Sequence, residues 1–201
     1  MKKTWLVLAL LLTNLSPSSA APIYTYPVVG CETVYGKYHH DYPATDIKAE
    51  LGCSFVAPIG GVIQDVSRKD LWSGKTNLGQ HRGGRSISLI GDDGVRYYGS
   101  HLSKVMKGIV PGVRVEVGQK LGKIGTSGSA RGIPRPHLHF GISYQTQPGD
   151  WEIRRGVVAP WRYLDAWKVG KDRSPAKAVA KAKAKRGDKK RPQISLGLSY
   201  N

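Results

Sequence analysis

Cysteine is scarce in this chain of 201 residues, which contains Cys31 and Cys53 and no Cys-x-x-Cys pair. That spacing gives no support to a thiolate zinc site of the finger type. In an exported chain, an even number of cysteines favours one disulfide between them. The bond would enclose the segment that contains His39, His40 and Asp46. Coordination of a metal by one or both thiols is the alternative.

Long apolar runs are also lacking. The run over 5–12 is too short for a membrane span of about 20 residues, and no apolar segment of spanning length follows it. A basic start at Lys2-Lys3, this apolar run and the small residues Ser18-Ser19-Ala20 form the layout of a secretory signal peptide over 1–20. We therefore expect an exported, soluble mature protein. An uncleaved N-terminal anchor is the alternative.

Acidic residues are few, with 14 Asp and Glu against 31 Lys and Arg, and the formal net charge is +17. Much of the excess lies in the Ala- and Lys-rich stretch that ends the chain, which has no apolar face large enough to bury. The sequence predicts a domain over 21–167 and a basic tail over 168–201, either disordered or a nascent helix. Such a tail attracts anionic cell-wall polymer or an anionic membrane surface. A solubilising tail without a specific partner is the alternative, and a specific nucleic-acid partner is not expected because the chain is exported.

Long helical periodicity is missing between residues 55 and 160, where short β-runs alternate with glycine. This pattern predicts an all-β domain, a compact antiparallel, sandwich-like sheet structure. Gly91-Asp92-Asp93-Gly94 is a hairpin signal, and Gly-rich loops over 67–84 and 125–136 are expected to line a binding cleft. A short C-terminal helix is expected over 160–168. The predicted strands cover 55–57, 62–66, 86–90, 95–98, 113–117, 120–124 and 137–143.

The histidines are the residues that indicate a metal-binding or catalytic site in this chain. In Pro136-His137-Leu138-His139-Phe140, read as a strand, the two histidines share one face and the two apolar residues share the other. The apolar face can anchor the strand while the imidazoles enter a site. His39-His40 with Asp46, and His101 after Ser100, supply further candidates. Two histidines and one carboxylate leave an open position on zinc, which is typical of catalytic zinc sites.

The run from 39 to 143 resembles the lysostaphin/LytM-like zinc endopeptidases, a duplicated hybrid motif family that cuts peptide bonds in bacterial peptidoglycan. Besides the histidines, three phrases carry the resemblance, in the order that the family has them. They are Val56-Ala57-Pro58-Ile59-Gly60-Gly61-Val62-Ile63, Val113-Arg114-Val115-Glu116-Val117-Gly118-Gln119-Lys120-Leu121-Gly122, and Ile124-Gly125-Thr126-Ser127-Gly128 leading into the His-Leu-His strand.

The resemblance implies one Zn²⁺ per chain, with His40, Asp46 and His139 as metal ligands, and His101 and His137 as catalytic histidines that do not bind the metal. The family commonly spaces its first ligands as His-x-x-x-Asp, which would place Tyr42 at the histidine position. This chain offers His40 instead, with His39 as the fallback. A cleft of Gly-rich loops around the zinc is part of the same expectation.

The resemblance also implies an exported hydrolase, located outside the cell, in the periplasm or at the cell wall, that acts on peptidoglycan peptides as a monomer. A non-catalytic LytM-like module that binds the wall or activates other hydrolases is the rival interpretation. The completeness of the ligand set in this sequence favours the enzyme.

Overall fold

The structure is a computed structural model that describes residues 24–147 and 149–186. The predicted signal peptide over 1–20 and the end of the basic tail lie outside these residues. Within the described part, ten antiparallel strands form two sheets, and three α-helices and two 3₁₀ helices complete the fold. The prediction of a mainly antiparallel β domain is confirmed.

The elements of the described residues are numbered in chain order. The strands are β1 Val28–Val29, β2 Thr45–Lys48, β3 Ser54–Val56, β4 Gly61–Ser67, β5 Ser86–Gly91, β6 Val95–Ser100, β7 Leu102–Val105, β8 Arg114–Val115, β9 Lys120–Ile124 and β10 His137–Tyr144. The α-helices are α1 Trp151–Arg154, α2 Trp161–Lys168 and α3 Ala176–Arg186, and the 3₁₀ helices are Gly79–His81 and Gly128–Ala130.

One sheet has four strands in the order β1-β3-β9-β7, and the other has six in the order β2-β10-β6-β5-β4-β8. Apolar side chains from both sheets form one buried cluster. Phe55 and Leu121 come from the smaller sheet, and Leu89, Tyr97 and Phe140 from the larger. The core therefore lies between the two sheets, which is the sandwich-like arrangement expected from the sequence. β10 lies inside the larger sheet, between β2 and β6.

The hairpin between β5 and β6 forms at the predicted turn. Gly94 has a positive φ of 73°, which glycine adopts without steric cost. Asp93 is more than a turn residue, because its carboxylate accepts hydrogen bonds from the backbone N–H of Val95 and from the hydroxyls of Tyr24 and Tyr97. Asp93 thereby ties the turn to the core and to the start of the described chain.

The disulfide between Cys31 and Cys53 is present, as the sequence favoured. It joins residues 22 positions apart and closes the loop that carries His39 and His40. This segment has little regular structure of its own, since its one described strand, β2, is four residues long. The covalent link therefore restrains a part of the chain that few ladder hydrogen bonds hold.

Helix α2 confirms the predicted C-terminal helix, and its last turn is held by Trp167. This side chain is buried and stacks on Tyr24 at 5.3 Å between ring centroids, with Tyr97 at 6.1 Å and Phe140 at 6.4 Å. Its indole N–H donates to the carbonyl of Arg173. The helix is thus fastened to the larger sheet and to the chain that follows it.

Of the two states expected for the basic tail, disorder or nascent helix, the described residues contain a helix. The chain continues into α3, where Val179 is buried and the helix packs against β10. Asp172 accepts a hydrogen bond from the backbone N–H of Tyr24. Burial of Val179, packing of Ala176 against the same core and this hydrogen bond order a segment that composition alone marks as too polar. The packed fold therefore extends beyond 167, at least to Arg186. Among the described residues, no helix is long and apolar enough to cross a membrane.

Candidate metal and catalytic site

Strand β10 divides its side chains between the core and a cleft. Leu138 and Phe140 are fully buried in the apolar cluster, while His137 and His139 line a cleft on the opposite face. The alternation predicted for the His-Leu-His segment is therefore present. Gly141 continues the cleft face without a side chain. A Cβ at that position would lie 2.8 Å from the carbonyl carbon of Arg155, so glycine lets the segment after α1 cross closely over β10.

Asp46 and His139 are direct partners across β2 and β10. His139 Nδ1 lies 2.9 Å from Asp46 Oδ1, and His139 Nε2 lies 3.0 Å from the Arg155 carbonyl oxygen. A neutral imidazole has one N–H, so it can donate to one of these two oxygens. If Nε2 donates to the carbonyl, Nδ1 presents a lone pair to a carboxylate. A cation between the two atoms, a second proton or a metal ion, removes that repulsion.

The structure brings both His39 and His40 close to Asp46. One ring nitrogen from each histidine and one carboxylate oxygen of Asp46 lie within 4.8 Å of one another. His39 Nε2 is 3.7 Å from Asp46 Oδ2, and its ring is 5.0 Å from that of His139 between centroids. The Nδ1 atom of His39 is buried and has no hydrogen-bond partner. His40 is exposed and meets His39 edge-on. Of the two rings, His39 is the one that contacts both Asp46 and His139.

His101 lies where the chain leaves the larger sheet at the end of β6 and enters the smaller one at β7. Its φ is 63°, a left-handed conformation that is uncommon for a side chain of this size. The backbone N–H donates to the carbonyl of Gly83, and ring Nδ1 lies 2.8 Å from the carbonyl oxygen of Ser127. A carbonyl can only accept, so Nδ1 carries the proton in this contact. Nε2 of the neutral ring is then a hydrogen-bond acceptor.

His137 has a similar arrangement on the neighbouring wall of the cleft. Its Nδ1 lies 3.2 Å from the carbonyl oxygen of Arg135, and its ring is 4.8 Å from that of His101 between centroids. In the neutral form Nδ1–H donates to this carbonyl, which leaves Nε2 as an acceptor. The two rings therefore offer a pair of acceptor nitrogens in one cleft with Asp46 and His139.

Burial governs the electrostatics of these groups. Desolvation, followed by the neighbouring His139, lowers the pKa of His101 to about 3 and that of His39 to about 4. Burial by itself would raise the pKa of Asp46, but the hydrogen bond with His139 and the nearby histidine charges hold it well below its usual range. At neutral pH His39 is therefore neutral and Asp46 is ionised, the protonation states in which these groups bind metal.

Comparison with known proteins agrees with this geometry. Residues 40–151 match Peptidase family M23, which is more than half of the chain. The chain belongs to peptidase family M23. It is also 32% identical over 130 residues to the L-Ala--D-Glu endopeptidase of Bacillus subtilis (strain 168), a match that covers 63% of this chain and 35% of that protein. The chain thus spans about a third of the length of this relative.

Solved structures show the same fold. The structure of the antimicrobial peptidase lysostaphin from Staphylococcus simulans matches 78% of this chain and 59% of its own, with a TM-score of 0.53 at 23% identity. A putative peptidase M23 from Pseudomonas aeruginosa matches 72% of this chain and 51% of its own, with a TM-score of 0.51 at 20% identity. At these identities the likeness establishes the M23 fold alone.

Two Gly-rich loops of this M23 domain meet beside His101. Asp70 Oδ2 accepts hydrogen bonds from the Gly128 N–H at 3.1 Å and from Arg131 at 2.6 Å. The same peptide unit that donates to Asp70 supplies the Ser127 carbonyl that holds His101. Asp70 therefore locks the position of that carbonyl from the opposite loop. Sequence reasoning missed Asp70, because an aspartate in a polar loop gives no local sign of a partner 58 residues away.

The cleft of the M23 domain also contains side chains to which the sequence assigned no role in the site. Tyr42 packs on His39 at 4.4 Å between ring centroids, and burial raises its pKa to about 12, so its hydroxyl stays protonated. Arg82, Trp151 and Arg155 complete the walls. The Arg154-Arg155-Gly156 segment gave no motif signal. This segment reaches the site because the chain crosses over Gly141, a tertiary contact that no local sequence pattern predicts.

Proposed function

We propose that this chain is an exported zinc metalloendopeptidase that hydrolyses peptide bonds in bacterial cell-wall peptidoglycan. The observation that carries the proposal is the contact of Asp46 with His139 Nδ1 at 2.9 Å, beside His101 and His137 in one cleft. Family membership and the peptidoglycan-type bond in the name of the Bacillus subtilis relative support the substrate class. Export rests on the sequence pattern over 1–20.

The donor set fits zinc. Asp46 and His139 would hold the ion together with a histidine of the His39-His40 pair, and we favour His39 because it contacts both of the others. A carboxylate and imidazole nitrogens are ordinary zinc ligands. The Arg155 carbonyl that receives Nε2–H of His139 keeps Nδ1 free of a proton and orients the ring, as outer partners of metal-bound histidines do.

Zinc in such a site supplies a Lewis acid that polarises the scissile carbonyl and acidifies water. Residues of the chain itself carry out the proton transfers. Ser127 and Arg135 hold the Nδ1 protons of His101 and His137, so that both Nε2 atoms can accept a proton from the attacking water. The histidine that has taken this proton can return it to the leaving amine. Because each ring is fixed by a backbone carbonyl, little reorganisation is needed during the reaction.

A non-catalytic wall-binding or hydrolase-activating module is the second candidate. It is favoured by one observation, since Tyr42 stands where the family commonly has the first histidine ligand. In that case His39 and His40 would not restore metal binding, and purified protein would contain no zinc.

The deciding experiment measures zinc and hydrolysis together in purified mature protein. We expect about one zinc per chain, loss of zinc in His139→Ala, and release of peptide fragments from purified cell walls by the wild type. His101→Ala and His137→Ala are the matched variants. They should keep zinc and lose hydrolysis by about 100-fold or more, the scale of general acid–base catalysis. Equal zinc in wild type and His139→Ala would contradict the metal assignment, and a zinc-loaded wild type without hydrolysis would favour the activating module.

Basic residues at the end of the chain are proposed to hold the protein near anionic wall polymer or an anionic membrane surface. In the described part of α3 the exposed positions include Lys177, Lys181 and Lys185, with no acidic residue in the helix. Long-range attraction of this kind is screened over about 8 Å at physiological ionic strength. Wall binding by the wild type is therefore expected to weaken as salt rises. A monomeric state remains a prediction.

A further inference from the structure

Arg155 holds a guanidinium group at the edge of the cleft without a carboxylate partner. Within the ranges 24–147 and 149–186, the structure records no ion pair to this side chain. Its Nε atom is buried and has no hydrogen-bond acceptor. A buried guanidinium N–H without an acceptor is unfavourable, and a ligand carboxylate is the partner that such a group binds best.

The guanidinium is held in place by two aromatic rings. Its Cζ atom lies 3.9 Å from the ring centroid of Tyr42 and 5.1 Å from that of Trp151. Stacking fixes the plane of the donor fork, so less side-chain freedom is lost when a ligand binds. The backbone carbonyl of the same residue accepts the hydrogen bond from His139. The Arg155 guanidinium therefore lies no further than the length of its own side chain from the carbonyl that contacts His139, a proposed metal ligand.

The other arginines of the cleft have different surroundings. Arg154 is neutralised by Asp65, at 2.8 Å between Nη1 and Oδ2. Arg82, on the Gly-rich loop across the cleft, donates through Nε to Asn77, which carries no charge. Of the two aspartates that line the cleft, Asp46 is committed to the histidine cluster and Asp41 is exposed. Among the described residues, Arg82 and Arg155 are therefore the cleft arginines with no carboxylate in direct contact.

We infer that the cleft selects peptides with a carboxylate close to the scissile bond, and that Arg155 receives this carboxylate. The inference rests on the proposed peptidase function and narrows its substrate class. A free carboxyl group on the stem peptide, the short peptide attached to each glycan strand, would accept hydrogen bonds from the Arg155 guanidinium. A neutral oligoglycine bridge or an amidated stem peptide would leave the guanidinium without an acceptor. The side chain of Arg155 determines specificity, while its backbone carbonyl holds His139.

The test compares a synthetic cell-wall stem peptide that has a free carboxyl next to the scissile bond with the same peptide amidated at that carboxyl. We expect wild-type kcat/KM to be at least about tenfold higher for the free acid, which is the scale of a hydrogen bond to a charged group. Arg155→Gln should remove this preference, so that the free acid and the amidated peptide are cleaved with similar kcat/KM. Arg155→Lys keeps the charge but not the fork, and should restore part of the preference.

Arg162→Gln is the matched control, because Arg162 also stacks on a tryptophan ring, 4.9 Å from the centroid of Trp161, but does not line the cleft. It should leave both peptides unaffected. Equal cleavage of the two peptides by wild type would overturn the inference, as would an equal loss on both in Arg155→Gln with zinc retained. Calorimetric binding of both peptides to zinc-loaded His101→Ala separates the two proposals. A preference in binding without any wild-type cleavage would sustain the carboxylate site and contradict the peptidase.

Discussion

At the scale of single residues, the position of the proposed first metal ligand depends on a loop that is longer than the family spacing. Tyr42 stands four residues before Asp46, where the common pattern has histidine, and it packs between His39 and Arg155. The extra residues let the chain turn back so that His39 reaches Asp46. Gly156, with a positive φ of 138°, lies against the carbonyl of Pro43 and holds this loop from outside.

The two candidate histidines can be separated by single substitutions. His39→Ala is expected to lose most of the bound zinc, since one of three protein ligands is removed. His40→Ala is the matched control and should keep zinc, because its ring is exposed and contacts His39 rather than His139. The measurement is metal content by atomic emission after dialysis. Loss of zinc in His40→Ala alone would assign the ligand to His40 instead.

At the scale of elements, the site depends on how the two Gly-rich loops touch. Gly84 and Gly128 both have positive φ, and a Cβ on Gly84 would lie 2.6 Å from the carbonyl carbon of Ser127. A Cβ on Gly128 would lie 2.5 Å from the backbone nitrogen of Gly84. Backbone on both sides leaves no flexible side chain to move aside. The loops can therefore pack closely enough to hold the Ser127 carbonyl against His101.

Gly128→Ala should consequently destabilise the fold and lower activity. The left-handed conformation costs about 1–2 kcal/mol for alanine, and the backbone clash adds a cost of similar size. Gly132→Ala is the control, since Gly132 has a φ of 84° but open space around its Cβ position. It is expected to show the conformational cost alone. Urea unfolding of both variants measures the difference, and equal losses would mean that loop contact does not hold the site.

The disulfide acts on the element that carries His39, His40 and Asp46. Removing it in a Cys31→Ser, Cys53→Ser double variant is expected to lower the free energy of unfolding by about 3 kcal/mol, for a closed loop of 22 residues. Weaker zinc binding should accompany the loss, because the loop is no longer restrained. Urea unfolding with and without added zinc tests this. Wild type treated with reductant should behave like the variant, and unchanged stability in both would show that packing alone orders the loop.

At the scale of the whole molecule, the C-terminal segment is part of the packed domain. Trp167 joins the start of the described chain, the larger sheet and the residues that follow it. Helix α3 then lies against β10, the strand that carries both histidines of the His-Leu-His segment. The stability of the site strand therefore depends on residues far along the chain from the cleft.

Truncation after Trp167 should for this reason destabilise the protein by about 3–5 kcal/mol. It exposes the surface that Val179 covers and removes the partners of Tyr24 and the Trp167 indole. Truncation after Arg186 is the control and should leave the thermal midpoint unchanged. Both truncated proteins lose positive charge, so a difference between them does not come from loss of charge alone. If the shorter form unfolds at the same temperature as wild type, the helix contributes nothing to the domain.

The sequence by itself determined the features that local pattern encodes. Alternation placed Leu138 and Phe140 in the core and the two histidines in the cleft, and glycine with aspartate set the β5–β6 turn. Two cysteines in a chain that the sequence predicts to be exported pointed to the disulfide that is present. These features depend on residue period and residue type, which a linear pattern contains.

Only the tertiary structure decided the contacts between distant segments. Three contacts of the site depend on loops that cross a strand or meet another loop. They join His39 to His139, the Arg155 carbonyl to His139, and Asp70 to Gly128. The order of α3 was decided in the same way, because α3 packs against β10 and Val179 is buried in the core cluster. Composition averages over such contacts, so a few well-placed residues can order a segment that the average marks as too polar to fold.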